Sequence, residues 1–172
     1  YRDNRLNMIH EGAHGIHGLD LLGRKVQQKG GRALHILVAK IETTVKRAME
    51  SGSFDAECRA LASAVRRLGS TTARLTSALN AGDADRGLAN ATLYLDAMGD
   101  IVIGWRWLAQ ANVAAAALAA APAMSESERE FYQGKIMACR YFMRYELPRV
   151  AAPLALLARL DDTTLAMRDD WF

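Results

Sequence analysis

Residues 34–49 read LHILVAKIETTVKRAM, and in them Leu34, Leu37, Val38, Ile41, Val45 and Met49 recur at spacings of three and four. That period stacks the six side chains in one stripe along an α-helix, which needs a second apolar surface to cover it. The next stretch supplies one: Cys58, Leu61, Val65, Leu68, Thr72, Leu75 and Leu79 step by three and four as well. Between them Glu50-Ser51-Gly52-Ser53 breaks the pattern, and Ser53 or Asp55 is placed to accept a backbone N–H as the cap of the following helix. So short a loop makes the two helices antiparallel neighbours.

Working toward the carboxyl terminus, Ala81-Gly82-Asp83 closes the second helix and opens a longer one. It carries Leu88, Ala91, Leu95, Met98, Val102, Trp105 and Ala109, then an alanine tract that Pro122 ends. Ser125 and Glu128 have the spacing of a reciprocal capping box, so the last long helix starts there. Its stripe is Tyr132, Ile136, Cys139, Met143, Leu147, Val150, Leu154 and Leu157, with a kink expected between Arg144 and Pro148. The tail from Asp161 holds Leu165, Met167, Trp171 and Phe172, and we expect it to fold back as a short helical lid. No run of alternating β-branched residues interrupts these patterns. The fold class is all-α: an up-down antiparallel four-helix bundle from Arg32 onward, preceded by a short loop and helix segment.

Toward the amino terminus, a first helix is expected to begin between Gly12 and His14 and run to about Gln28. Gly30-Gly31 ends it, because glycine accepts the positive φ of a helix stop. The chain has 172 residues, 51% of them hydrophobic, enough to fill the core of one domain. It opens on Tyr1 rather than Met, and we read it as part of something longer. Its net charge is only +3 and the charges are interspersed, which disfavours nucleic acid as the main partner. Cys58 and Cys139 are far apart, each in an apolar helical pattern, which suits reduced thiols and a cytoplasmic setting. The stretch 101–121 is the one that could pass for a membrane span. It contains Arg106, Gln110 and Asn112 and is mostly alanine, so it reads as a packed helix and not a membrane span.

Chemistry concentrates near the start. His10-Glu11-Gly12-Ala13-His14 spells H-E-x-x-H, in which two imidazoles one helical turn apart hold Zn²⁺ and the glutamate activates its water. Asp20 falls where extended versions of that motif place a third ligand. The motif needs a continuous helix, yet Gly12 lies inside it with Gly15 and Gly18 close behind, each costing about 1 kcal/mol against alanine. Zinc hydrolysis is the weaker reading, and no metal ligand is assigned.

A longer match competes for the same residues. The span from Arg2 to Val26 reads R-D-x-R-L-x-x-I-H-E-G-A-x-G-I-H-G-L-D-L-L-G-R-K-V. It resembles the acyl-CoA dehydrogenase segment in which an arginine-containing helix is followed by I-Y-E-G-T-x-G-I-Q-A and a helix beginning D-L. The resemblance continues in Gly104-Trp105-Arg106-Trp107-Leu108, Phe131-Tyr132-Gln133-Gly134-Lys135 and Arg140-Tyr141-Phe142. Those features belong to the extra helical carboxyl-terminal domain of dehydrogenases of the type acting on 3-methylmercaptopropionyl-CoA. Bundle packing is the expected role of these aromatic motifs.

This resemblance implies that Glu11 is the catalytic base, removing the α-proton of an acyl-CoA thioester while the β-hydrogen leaves as hydride to N5 of FAD. It places Gly12, Ala13 and Gly15 beside the cofactor. Ala13 stands where relatives have a threonine that touches the flavin phosphates, His10 replaces a tyrosine, and His17 a glutamine. His14 and His17 read as exposed or cap-bonded histidines. The resemblance further implies electron-transfer flavoprotein as electron acceptor and a homo-oligomer. Residues 1–30 become the end of the dehydrogenase's helical domain, and 31–172 an appended helical bundle. The amino-terminal helical domain and the flavin-covering β-domain are missing, so the fragment alone is expected neither to hold FAD nor to turn over substrate. A different class of function stays beside this one: a non-catalytic helical module for oligomerisation or interaction.

Overall fold

The computed structural model describes residues 13–120 and 124–171, and every regular element in them is helical. Helix α1 (Ala13–Asp20) begins inside the expected window and runs into a π-turn at Leu21–Lys25. There the Val26 N–H reaches back five residues to the Leu21 carbonyl at 3.0 Å. The extra residue in that turn brings both Leu22 and Val26 into the core, at 0% and 5% exposure. Lys29, Gly30 and Gly31 then take three consecutive positive φ values, 51°, 64° and 80°. The predicted glycine pair is thus the hinge, and Lys29 joins it at a conformation that L-residues avoid.

Beyond the hinge come α2 (Gln28–Glu50, which includes it), α3 (Asp55–Asn80), α4 (Ala84–Leu88), α5 (Ala91–Ala120), α6 (Glu126–Tyr141) and α7 (Ala151–Ala158). On α2 the expected stripe is only partly covered. Ile41 and Ala48 are buried, Leu34, Leu37, Val38 and Val45 are half-buried, and Met49 is exposed. Neither Ser53 nor Asp55 caps α3, contrary to expectation. Ser53 turns back, its hydroxyl donating to the Ser51 carbonyl at 3.3 Å, and Phe54 takes the cap position with 1% exposure. Burying that ring fixes where the helix starts. Asp55 and Glu57 sit instead in the first turn, where their charge complements the helix dipole.

Helix α5 is the centre of the molecule and packs against α1, α2, α3, α6 and α7. It is the one described helix that passes for a membrane span by length and composition, and it packs against five neighbouring helices. Its buried residues are Ala91, Tyr94, Ala97, Ile101, Gly104, Leu108, Ala111 and Ala114. The predicted stripe through Leu95, Met98, Val102 and Trp105 is therefore one position off, and those four are half-buried. The rotation of the helix decides this: the inward face combines Tyr94, Ile101 and Leu108 with the small residues Ala97, Gly104 and Ala111, over which neighbours approach closely.

The α6 signals are confirmed. The Glu128 N–H bonds the Ser125 hydroxyl and the Ser125 N–H bonds the Glu128 carboxylate, both at 3.3 Å. The expected kink is a π-turn at Phe142–Glu146 followed by a 3₁₀ turn at Leu147–Val150. Pro148, which has no N–H to give the ladder, lies in it. The redirected α7 lays Leu154 and Leu157 against α3, where the Thr71 hydroxyl donates to the Leu154 carbonyl at 3.3 Å. Two side chains from the α4 region hold its end: Arg86 Nε donates to the Leu160 carbonyl at 3.1 Å and Asn90 Nδ2 to that of Asp161 at 2.9 Å.

The tail departs from expectation. It contains the short α8 (Thr163–Ala166) and a 3₁₀ turn (Asp169–Trp171), but Leu165, Met167 and Trp171 are exposed and do not form a lid. Four acidic residues between 161 and 170 hold this segment in water, and its apolar residues are too few to offset the entropy of docking it. Cys58 and Cys139 are both fully buried free thiols. Burial pushes them up to about 11 and about 12, so they remain protonated and unreactive.

Candidate functional site

Of the residues assigned from the sequence, Glu11 and Gly12 lie outside the described residues, as does His10. Ala13 is half-buried as the first residue of α1, and Gly15 is exposed on its first turn with nothing within 4 Å of where a Cβ would stand. No acidic residue occupies that turn.

What holds α1 in place is a residue that sequence reasoning passed over. Gly18 is buried against the start of α5, and a Cβ there would lie 2.8 Å from the Ala91 carbonyl oxygen. Only glycine permits that backbone-to-backbone contact. The signal was present in the glycine run, in which Gly18 meets a neighbour and Gly15 does not. His14 and Asp96 add an exposed contact between α1 and α5, Nε2 to Oδ1 at 3.0 Å. Asp20 pairs with Arg24 at 2.6 Å and Lys25 at 3.5 Å, and the Arg24 hydrogen bond holds its carboxyl below the usual range. Both candidates for zinc coordination in this helix are thus engaged elsewhere, and no cluster of three metal-ligating side chains occurs among the described residues.

A second group of charges lies further along α5. Burial pushes the Asp100 carboxyl up; Arg149 opposes this, while Asp96 and Glu146 add to it. The Arg149 guanidinium bonds Glu146 at 2.8 Å. A carboxyl raised in the folded chain contributes stability below its unfolded value of about 4, and that contribution is lost as pH climbs through the folded value. Asp100→Asn is therefore expected to stabilise the protein at pH 7. Urea titrations should show that gain disappearing below about pH 4. A variant less stable than wild type at neutral pH would contradict this account.

Comparison with known proteins gives these features a family. A family model described as "Acetyl-CoA dehydrogenase C-terminal like" matches residues 37–168. The chain is 29% identical over 177 residues to a broad-specificity linear acyl-CoA dehydrogenase of Mycobacterium tuberculosis, covering 99% of this chain and 28% of that protein. It is also 29% identical over 175 residues to 3-methylmercaptopropionyl-CoA dehydrogenase of Ruegeria pomeroyi, covering 96% of this chain and 27% of that one. It spans little more than a quarter of these relatives. The all-helical architecture and the match across residues 37–168 agree, and the chain belongs to the acetyl-CoA dehydrogenase C-terminal-like family.

Proposed function

We propose that this chain is the carboxyl-terminal part of an FAD-dependent acyl-CoA dehydrogenase, with Glu11 as the base that takes the α-proton of the thioester. The observation that carries this reading is the coverage of the match. Two acyl-CoA dehydrogenases align with 99% and 96% of the chain, well beyond the bundle matched by the family model. Helix α1 is consistent with it, since the residues that follow the Glu11 segment, Ala13–Asp20, are helical.

A carboxylate in that position needs a mostly apolar cleft, because desolvation raises its basicity toward carbon-acid chemistry. The backbone N–H groups at the start of α1, with that of Glu11, would stabilise negative charge developing on the thioester oxygen. Two features leave room for a flavin nucleotide: no acidic side chain in the first described turn of α1, and open space at Gly15. Gly12, Ala13 and Gly15 would lie against it, Ala13 by its backbone alone, as it has no hydroxyl. When bound, FAD supplies the acceptor for the β-hydride. The chain's own contribution is to hold and move the α-proton and to position the thioester oxygen. Electron-transfer flavoprotein is the acceptor in this reading, and the enzyme acts as a homo-oligomer in the cytoplasm.

Deuterium exchange at the substrate α-carbon tests Glu11 directly. A full-length Glu11→Gln variant that keeps its flavin should no longer exchange that proton; unchanged exchange would remove Glu11 from the mechanism. Because the chain spans about a quarter of its relatives' length, the isolated fragment is expected to purify colourless and without dye-coupled activity. An absorption band near 450 nm in the purified fragment would overturn that part, since a flavin absorbs at roughly that wavelength and no protein side chain does.

A second reading, a bundle serving association, is favoured by one feature. A cleft of about 590 Å³ between α2 and α3 is lined by Ile41, Val45, Met49 and Val65, and its apolar surface is larger than its polar surface. In the dehydrogenase reading the same cleft is a natural surface for contact with other parts of the assembly.

A further inference from the structure

The two aromatic motifs expected to pack the bundle do so in part: Trp105 and Trp107 pack against the core, while other members reach the surface. Phe131 is 59% exposed, and Arg106 is exposed too. Together with Gln110, Tyr132 and Lys135 they line a cleft of about 370 Å³ between α5 and α6. Five residues separate those helices and they pack along their lengths, which makes them antiparallel.

Lys135 Nζ lies 5.5 Å from the ring of Trp107, so α6 places this cation against the α5 segment that carries Arg106. Phe131 and Tyr132 stand one turn before Lys135 on α6, and Gln110 one turn after Arg106 on α5. No carboxylate lines the cleft, and neither Arg106 nor Lys135 forms an ion pair among the described residues. Their contacts are with aromatic faces: Lys135 also sits 5.3 Å over Phe131, and Arg106 lies 5.2 Å over Trp105. Phe131 and Tyr132 meet edge to face with centroids 5.5 Å apart.

We propose that this cleft binds a phosphorylated purine nucleotide. Arg106 and Lys135 supply unpaired positive charge for the phosphates. Phe131 and Tyr132 give ring surface for the base. Gln110 presents an amide donor and acceptor, the pair that complements the N6 and N7 edge of adenine. A fatty acid would use the charges and the apolar wall but not the amide. The volume lies within the range of small-molecule sites. The site is separate from the Glu11 segment and does not depend on its role.

The same chemistry is offered by a free nucleotide and by the 3′-phospho-ADP part of coenzyme A. Calorimetric titration of the chain with ADP, coenzyme A, adenosine and inorganic pyrophosphate separates these sources. ADP and coenzyme A should both bind; coenzyme A binding tighter identifies it as the source, and ADP binding at least as well identifies the free nucleotide. The double variant Arg106→Met, Lys135→Met should weaken ADP binding about tenfold with circular dichroism unchanged. Phe131→Ala, at an exposed position that the fold tolerates, should weaken ADP about fivefold and leave pyrophosphate unaffected. Pyrophosphate binding as tightly as ADP, an unaltered double variant, or no heat from either nucleotide at several millimolar overturns the proposal.

Discussion

Glu11→Gln in the full-length protein is expected to lower kcat/KM about 10³-fold, within the range for loss of a general base, with FAD still bound. Glutamine keeps the shape of the side chain and its hydrogen-bonding reach but has no lone pair basic enough to take a carbon-bound proton. Binding should survive, because the amide still fills the space between substrate and backbone, so the loss should fall on kcat more than on KM. The pH profile gives an independent readout. The acidic limb of kcat/KM in the wild type reports the carboxyl that must be ionised, and it should flatten in the variant. An enzyme retaining its flavin, its rate and its acidic limb after this change would show that the base lies elsewhere.

Tyr94→Ala is expected to destabilise the fold by about 4 kcal/mol, whereas Tyr94→Phe should cost about 1 kcal/mol. Tyr94 is the largest fully buried side chain and sits on the central face of α5. Truncating it to alanine leaves a cavity where α5 meets α3 that close-packed neighbours cannot fill. The phenylalanine change removes only the hydroxyl, which lies 2.7 Å from the Thr72 hydroxyl. Thr72 is not orphaned by this, since it also donates to the Leu68 carbonyl at 2.7 Å. For a chain of this size the two changes translate to about 12 °C and about 3 °C in Tm. Urea midpoints at constant slope would measure both; near-equal effects would mean that the hydrogen bond, not ring packing, stabilises this contact.

Much of the architecture could be read before any coordinates, and for identifiable reasons. The period of three and four in α2 and α3, the Ser125–Glu128 box, the Gly30-Gly31 hinge and the break at Pro148 are all local. Each follows from backbone hydrogen bonding or φ preference within one or two turns. The misreadings share a cause. The stripe on α5 was assigned from large apolar residues, but this helix carries apolar residues on most faces and meets five neighbours, and its inward face mixes Tyr94, Ile101 and Leu108 with alanine and glycine. Asp55 and Ser53 both look like caps from sequence; burying Phe54 outweighs either. The tail has the composition of a lid but too little apolar surface to stay down.

The candidate site divides in the same way. The proposal of Glu11 rests on a long run of residues around it that matches in register, and Gly12 and Gly15 came with it. Gly18 was not singled out, since its role exists only where α1 touches the Ala91 backbone. The aromatic motifs around residues 104–108 and 131–135 were legible as motifs but not as a cleft, because their side chains come from helices whose rotation is set by packing.

The order of elements here thus comes from the chain's own chemistry: helical period, hinge, kink and the Ser125–Glu128 cap are encoded within a few residues and need no partner. Tertiary packing chose the rest: which face of α5 turns inward, how closely α1 rests on it, and which aromatic and basic side chains share a cleft. Backbone preferences act over one or two turns, so a short stretch suffices to express them. Helix rotation and approach depend on volumes contributed from distant parts of the chain at once, and no single stretch contains that sum.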